Sequence, residues 1–466
     1  MSRDRNLNEG PVWRALIATS APMTLGILGV LSVGIADAFF LARSSEAALA
    51  AIAFIFPVIT TLTSLSIGLA AGTNTVVSQA IGEGESDAGR YRMTLHAMAL
   101  AALLSTAAAL VFYLIAPGFF ALMGAKDKVL QEAISYVPYW CLGFPFLVTG
   151  MSLNAVFRAA GRAEVAATVM VIQSVMNVVL DPIFIFGWGI VPEMSTQGAG
   201  VATGLARILG FLGLLIYAVK TGAIRLDCNP LRNVMSSFKH IARIGAPASI
   251  SNAINPAGMA IVTAAVAVVG DAAVAGFGAA GRVQSLVIVP LLALSSGIGP
   301  VIGQAWGAQD TTRACKALRV VFLWCLCIGL SLSALVALFA NPIANVMTNG
   351  DSAADYAALY LRIAGWGFFA YGIVITANAA MNARDKALYS MGVSVFRVFA
   401  LTVPFVWVGV WTAGYTGVLL GVLSANILGA FCAIVVCRLV GLNAVDWAPF
   451  RRVAGWIDWR GPASAN

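Results

Sequence analysis

Apolar runs close to 20 residues long recur from the first dozen residues to about residue 440. A run of that length is what an α-helix needs to cross the hydrocarbon of a bilayer. A chain built this way can only be a polytopic helical membrane protein, because every backbone polar group inside lipid must be satisfied within the spanning element. A transmembrane β-barrel would show short alternating segments instead. The polar side of the composition agrees: 10% of residues are charged and 60% are hydrophobic, against about 25% charged in a soluble domain.

The pattern predicts twelve spans, at 13–42, 50–81, 92–116, 130–157, 165–190, 197–220, 240–269, 274–306, 316–340, 356–381, 388–411 and 415–440. Basic residues collect in one set of loops, from Arg3, Arg5, Arg90 and Arg92 through Arg225, Arg232 and Lys239 to Arg384 and Lys386. The opposite loops hold only Arg43, Lys126, Lys128 and Arg282. The positive-inside bias therefore puts both termini in the cytoplasm, with the chain multi-pass in the cytoplasmic (inner) membrane. The net charge of +8 is loop topology of this kind. No basic–aromatic module for nucleic acid is present. The N-terminal MSRDRNLNEGPVWRAL lacks a small-residue cleavage site, so the first span is expected to be retained.

The seven cysteines, Cys141, Cys228, Cys315, Cys325, Cys327, Cys432 and Cys437, form no CxxC pair and read as small apolar packers. His96 and His240 are isolated. Neither belongs to a metal or catalytic cluster, and no cofactor is expected beyond a coupling ion.

The chain repeats itself. Ala21-Pro22 recurs as Ala246-Pro247, and Gly72, Gln79-Ala80 and Gly82 recur as Gly297, Gln304-Ala305 and Gly307, all at an offset of 225. Tyr136 and Asn154-Ala155 recur as Tyr360 and Asn378-Ala379. Pro182 recurs as Pro404, and Gly200-Val201 and Gly204 recur as Gly417-Val418 and Gly421. The fold class is thus all-α, with twelve transmembrane helices in two pseudo-symmetric six-helix lobes, and a cleft is expected between them, where transporters with such repeats place their sites. The N-lobe is expected over 1–220, a basic cytoplasmic linker over 221–245, the C-lobe over 246–441 and a cytoplasmic tail over 442–466. An even number of spans per repeat keeps both lobes in the same orientation, as in transporters that rock two repeats about a site between them.

Against this repeat, Asp37, Asn177 and Asp181 stand out. Their equivalents in the second half are Val262, Phe399 and Val403. A carboxylate at mid-bilayer costs about 2.5–3.5 kcal/mol on insertion scales and is by default functional. Counting about 1.5 Å per residue from Arg43, Lys128, Glu193 and, for Asp181, from Ile190 puts Asp37, Tyr136, Thr203 and Asp181 in one layer, roughly 9–15 Å below the outer boundary. Asn177 lies one turn from Asp181 on the same helical face. Such a cluster suits a proton or Na⁺, with Asp37, Asn177, Asp181 and Thr203 as the oxygen ligands of the latter. Span 1 also carries Pro22, Gly26, Gly29 and Gly34, and Pro182 follows Asp181, so both spans hold hinge residues beside their acids. Protonation of the acids is expected to change the bend of span 1 and release substrate outward. Tyr139, Asn154, Asn378, Gln79 and Gln304 read as structural, and Arg282 and Arg362 as snorkelling.

These residues have a family pattern. SAPMTLGILGVLSVGIADAFFLA in span 1, YVPYWCLGFPFLVTGMSLNAVFRAAGR in span 4 and NVVLDPIFIFGWG leading to QGAGVATGLA resemble the MATE (multidrug and toxic compound extrusion) transporters, over essentially all twelve spans. The DinF-like branch is the nearer. The resemblance implies a coupling site at Asp37, Asn177 and Asp181, with Tyr136 and Thr203 as polar neighbours. It also implies amphipathic, mostly cationic organic substrates, which the aromatics Trp140, Phe144, Phe146 and Phe157 would contact in the cleft. The C-lobe acids of the NorM-like branch are missing from spans 7 and 10, which favours protons over Na⁺. The expectation is a monomeric, proton-coupled multidrug antiporter, not an enzyme, whose partners are small molecules and membrane lipids. Na⁺ coupling through the same site and a lipid-intermediate flippase are the alternatives. An intramembrane aspartyl protease would need a GxGD element that IADA and LDPI do not supply.

Overall fold

The computed structural model describes residues 5–189, 191–225, 229–348, 350 and 352–444. Arg3, Ile190 (the reference point for the depth of Asp181), Cys228 and the tail beyond 444 lie outside them. Among the described residues the chain is almost wholly helical, with one isolated bridge between Trp188 and Val191.

The first seven spans are single helices: Val12–Ser44, Glu46–Gly82, Asp87–Leu122, Asp127–Ala159, Ala163–Ile185, Ser195–Lys220 and Val234–Ala267. The later spans are interrupted. Span 8 is two helices, Asp271–Val287 and Val289–Gly307. Span 9 is Thr311–Leu338, followed by the short helix Ala340–Thr348. Span 10 tightens to a 3₁₀ turn at Ala364–Gly367 between Ala353–Ile363 and Phe368–Ala383. The hydroxyl of Ser333 on span 9 donates to the Gly365 carbonyl there, at 2.7 Å, as a broken helix in lipid requires. Span 11 starts as Ala387–Val395 and widens into a π-helical segment, Phe396–Thr402. The following rod, Val403–Leu439, breaks at Ala413 and Gly414, where Gly414 takes a φ of 57°, and this break separates spans 11 and 12. Twelve crossings result.

The two lobes meet at the face that carries the start of span 1 and the end of span 12. The hydrogen bonds that join them fall in that half of the bundle: Thr19 to the Gly297 carbonyl, Thr75 to Asn382, Gln79 to Ala383, Ser249 to Leu65 and Gln304 to Ala159. Small residues let the backbones touch, as expected where lipid offers no hydrophobic drive between helices. Gly68 has no room for a Cβ beside Ala248 and Ser249, and Gly303 none beside Ser78. The N-terminal segment straps the same face: Leu7 donates to the Gln304 side chain at 2.9 Å, and Arg313 donates to the Leu7, Glu9 and Gly10 carbonyls. Among the described residues no hydrogen bond joins the lobes in the opposite half. The bundle is sealed at the terminal face.

Candidate functional site

The predicted layer comes together inside the N-lobe. Asp181 is fully buried, Asn177 and Tyr136 are 3% exposed and Thr203 is 8% exposed; Asp37 is half-buried. The Asn177 amide donates to Thr203 Oγ1 at 3.2 Å and reaches Asp181 Oδ1 at 3.5 Å. One helical turn on span 5 and the close packing of spans 5 and 6 produce both contacts. Asp37 and Asp181 are near enough to interact electrostatically, and Tyr136 lies near both acids. Spans 1, 4, 5 and 6 each contribute.

The approach of span 1 to span 5 depends on its glycines. A Cβ at Gly26 would meet Met170 Sδ at 3.1 Å, and one at Gly29 would meet Ser174 Oγ at 3.2 Å. Gly34 faces open space. Span 1 remains helical through Pro22, as span 5 does through Pro182.

One member of the layer was not anticipated. Arg207, one turn after Thr203 on span 6, is in electrostatic contact with Asp37 and Tyr136. Its guanidinium lies over the Trp140 ring, 5.2 Å from the centroid, and its Nη1 is buried without a protein partner. The sequence carried the same signal here as for the acids, a charge within an apolar run. The site is therefore two carboxylates and one guanidinium. With both acids ionised its net charge is −1; with one proton bound it is neutral.

Three oxygens remain without a protein hydrogen bond: Asp37 Oδ1, Asp181 Oδ2 and Asn177 Oδ1. By donor type they fit a proton or a small hard cation such as Na⁺. No cluster of three or more His, Cys, Asp or Glu that could hold a metal exists among the described residues.

The aromatics expected in the cleft are mostly elsewhere. Trp140 is 0%, Phe157 1% and Phe144 2% exposed. Trp140 stacks on Phe144 at 4.7 Å and meets Phe112 edge-on at 5.9 Å. These rings fill the N-lobe core, where their area stabilises packing. Only Phe146 is half-buried, against Phe211. Tyr139 accepts a hydrogen bond from Gln197 at 2.8 Å, in keeping with a structural role.

The C-lobe holds a second polar centre that the sequence reading also passed over. Arg397 sits in the π-helical segment of span 11 and is 8% exposed. It donates to Asn426 Oδ1 at 3.0 Å and to Asn255 Oδ1 at 2.5 Å.

The MatE family model matches residues 22–183 and again 247–408. The two matches begin 225 positions apart (22 and 247), the offset of the internal repeat. The chain belongs to the MATE family. MATE proteins are transporters, which excludes the enzyme class for this chain as well. A Shewanella oneidensis protein described as an FAD transporter is 31% identical over 94% of this chain and 97% of its own length. The multidrug export protein MepA of Staphylococcus aureus is 22% identical over 93% and 95%. Among solved structures, the Vibrio cholerae MATE transporter VcmN in the bent form superposes with a TM-score of 0.86 at 26% identity, covering 92% of this chain and 96% of that one. A MATE crystal structure in complex with MaL6 gives 0.87 at 26%, covering 96% and 100%.

Proposed function

We propose that this MATE protein is a proton-coupled exporter of amphipathic organic compounds. In this reading it is a DinF-like member that works as a monomer in the cytoplasmic membrane with both termini inside. The observation that carries the reading is the adjacency of Asp37 and Asp181 beside Arg207. Two neighbouring carboxylates cannot both ionise without mutual repulsion, so the pair is suited to hold one proton and release it. The fixed guanidinium favours protons over Na⁺, because a second immobile cation opposes a metal ion at short range. Na⁺ at the three open oxygens is the rival.

Coupling follows from charge. Proton uptake from the distal side neutralises the site and frees Asn177 and Thr203 to re-pair. A change in the bend of span 1 about Pro22, Gly26, Gly29 and Gly34, and of span 5 about Pro182, then reshapes the N-lobe cavity. The sealed terminal face corresponds to the state open to the outside, in which bound substrate leaves and the proton enters. Proteoliposomes carrying an internal pH dye test this: each turnover of substrate must move protons in the opposite direction, and substrate flux with no proton flux refutes it.

The expected cargo is an organic cation. A second reading, an anionic flavin nucleotide, is favoured by two observations. The relative at 31% identity is described as an FAD transporter. The interior also holds two arginines, Arg207 and Arg397, which repel cations.

A further inference from the structure

We propose that Arg397, with Asn255 and Asn426, is a substrate subsite in the C-lobe that takes the phosphate of an anionic, nucleotide-bearing cargo. The inference rests on the second reading above and assigns its recognition residues.

Among the described residues, Arg397 is a buried cation without a counter-ion. The acids among the described residues between 246 and 441 are Asp271, Asp310, Asp355 and Asp385, all at span ends or in loops. Its partners are two neutral amides and the ring of Tyr371, whose centroid is 5.8 Å from the guanidinium carbon. An arginine has five N–H donors. Two are used by the amides, and Nε is buried with no protein partner. Unpaired charge of this kind inside a membrane protein faces a bundle interior and marks a substrate path. Arginine's planar fork matches a phosphate bidentately.

The fold is built around this side chain. A Cβ at Gly429 would lie 2.8 Å from its Cγ and Cδ, so glycine there admits the stem. The π turn carries it: the Arg397 carbonyl is taken by the Thr402 hydroxyl at 2.9 Å, and π segments in helices concentrate at functional sites. Packing alone does not require the charge. Through the repeat offsets, Asn255, Tyr371, Arg397 and Asn426 map onto Val30, Leu147, Val175 and Leu209 of the N-lobe, which are all apolar. The centre therefore comes from the same four helices of the repeat as the acid layer (7, 10, 11 and 12 for 1, 4, 5 and 6). It lies about 10 Å nearer the terminal face at 1.5 Å per residue. Opposite charges sit in opposite lobes at different depths: protons load one, and an anion occupies the other.

The test compares full-length wild type, Arg397→Gln and Arg397→Lys. FAD binding is measured by quenching of flavin fluorescence in detergent, and uptake of FAD and of ethidium in proteoliposomes. The expected result is FAD binding by wild type, weakened at least about tenfold in Arg397→Gln, as for loss of a charge-assisted hydrogen bond. Arg397→Lys restores binding in part, and ethidium uptake, which reports the fold, is kept or raised in Arg397→Gln, which loses the repelling charge. Equal FAD binding by wild type and Arg397→Gln overturns the subsite and leaves the flavin reading intact. Loss of ethidium and FAD uptake together, unrescued by lysine, makes Arg397 a packing residue and also overturns it. Absence of FAD binding by wild type removes the flavin reading and the subsite with it.

Discussion

Gln79 and Gln304 occupy equivalent positions in the two repeats, and each donates its side-chain amide to a carbonyl at the end of the opposite lobe. Gln79 reaches Ala383 at 2.8 Å and Gln304 reaches Ala159 at 2.7 Å. The acceptors are themselves related by the repeat. A duplicated chain has thus kept a reciprocal latch on its sealed face, and Leu7 adds a third bond to Gln304.

The latch leads to the first prediction. A hydrogen bond contributes about 1 kcal/mol net, so Gln79→Ala with Gln304→Ala, which removes all three bonds, should weaken the sealed state by about 3 kcal/mol. That is roughly a 150-fold shift in population toward a state open at the terminal face. Spin labels at Glu85 and Thr312, both exposed on that face, should report a longer second distance by pulsed electron resonance. An unchanged distance distribution contradicts the latch.

Arg207 gives the second. It supplies the fixed positive charge beside Asp37, and the three open oxygens are otherwise suitable for a hard cation. Arg207→Gln is expected to make substrate flux respond to an imposed Na⁺ gradient, to which wild type is indifferent. Identical Na⁺ responses in the two proteins would remove the guanidinium from the coupling account.

The hinge gives the third. Pro22 lies within a continuous helix and lacks the N–H that would close its turn. Pro22→Ala restores that bond and should stiffen span 1. The prediction is a fall in turnover of several-fold with substrate binding unchanged, read by stopped-flow uptake against equilibrium binding. Equal losses in both would point to a folding defect instead.

Close packing between the lobes gives the fourth. Gly303 meets Ser78 with no space for a side chain. Gly303→Val should force the sealed face apart and lower the melting temperature, whereas Gly278→Ala, where nothing lies within 4 Å, should leave it unchanged.

Much of this was legible in the sequence because membrane segments advertise themselves. Length and apolarity mark the twelve spans, and counting residues from the span boundaries was enough to bring Asp37, Tyr136, Asp181 and Thr203 to one level. Asn177 followed from helical periodicity. Other features were illegible for physical reasons. Trp140, Phe144 and Phe157 lie in a helix whose polar residues, among them Glu132, Tyr136, Thr149 and Asn154, follow no single face, so periodicity does not distinguish core from cleft. The 3₁₀ break at Ala364–Gly367 depends on a tertiary partner, Ser333, whereas the break at Ile288 falls just before Pro290. Arg207 and Arg397 were visible as charges in apolar runs; what the linear chain hid is that one lies near the acid Asp37 and the other, among the described residues, near none.

The central claim is that the Asp37–Asp181 pair takes the coupling proton. Its most direct test is substrate uptake into proteoliposomes under separately imposed ΔpH and ΔNa⁺, for wild type, Asp37→Asn and Asp181→Asn, with both ethidium and FAD as cargo. The account predicts uptake driven by ΔpH alone and reduced more than about tenfold, equivalent to about 1.4 kcal/mol, in each variant. Uptake by Asp37→Asn at the wild-type rate under either gradient would contradict it and leave the acid layer as a structural knot.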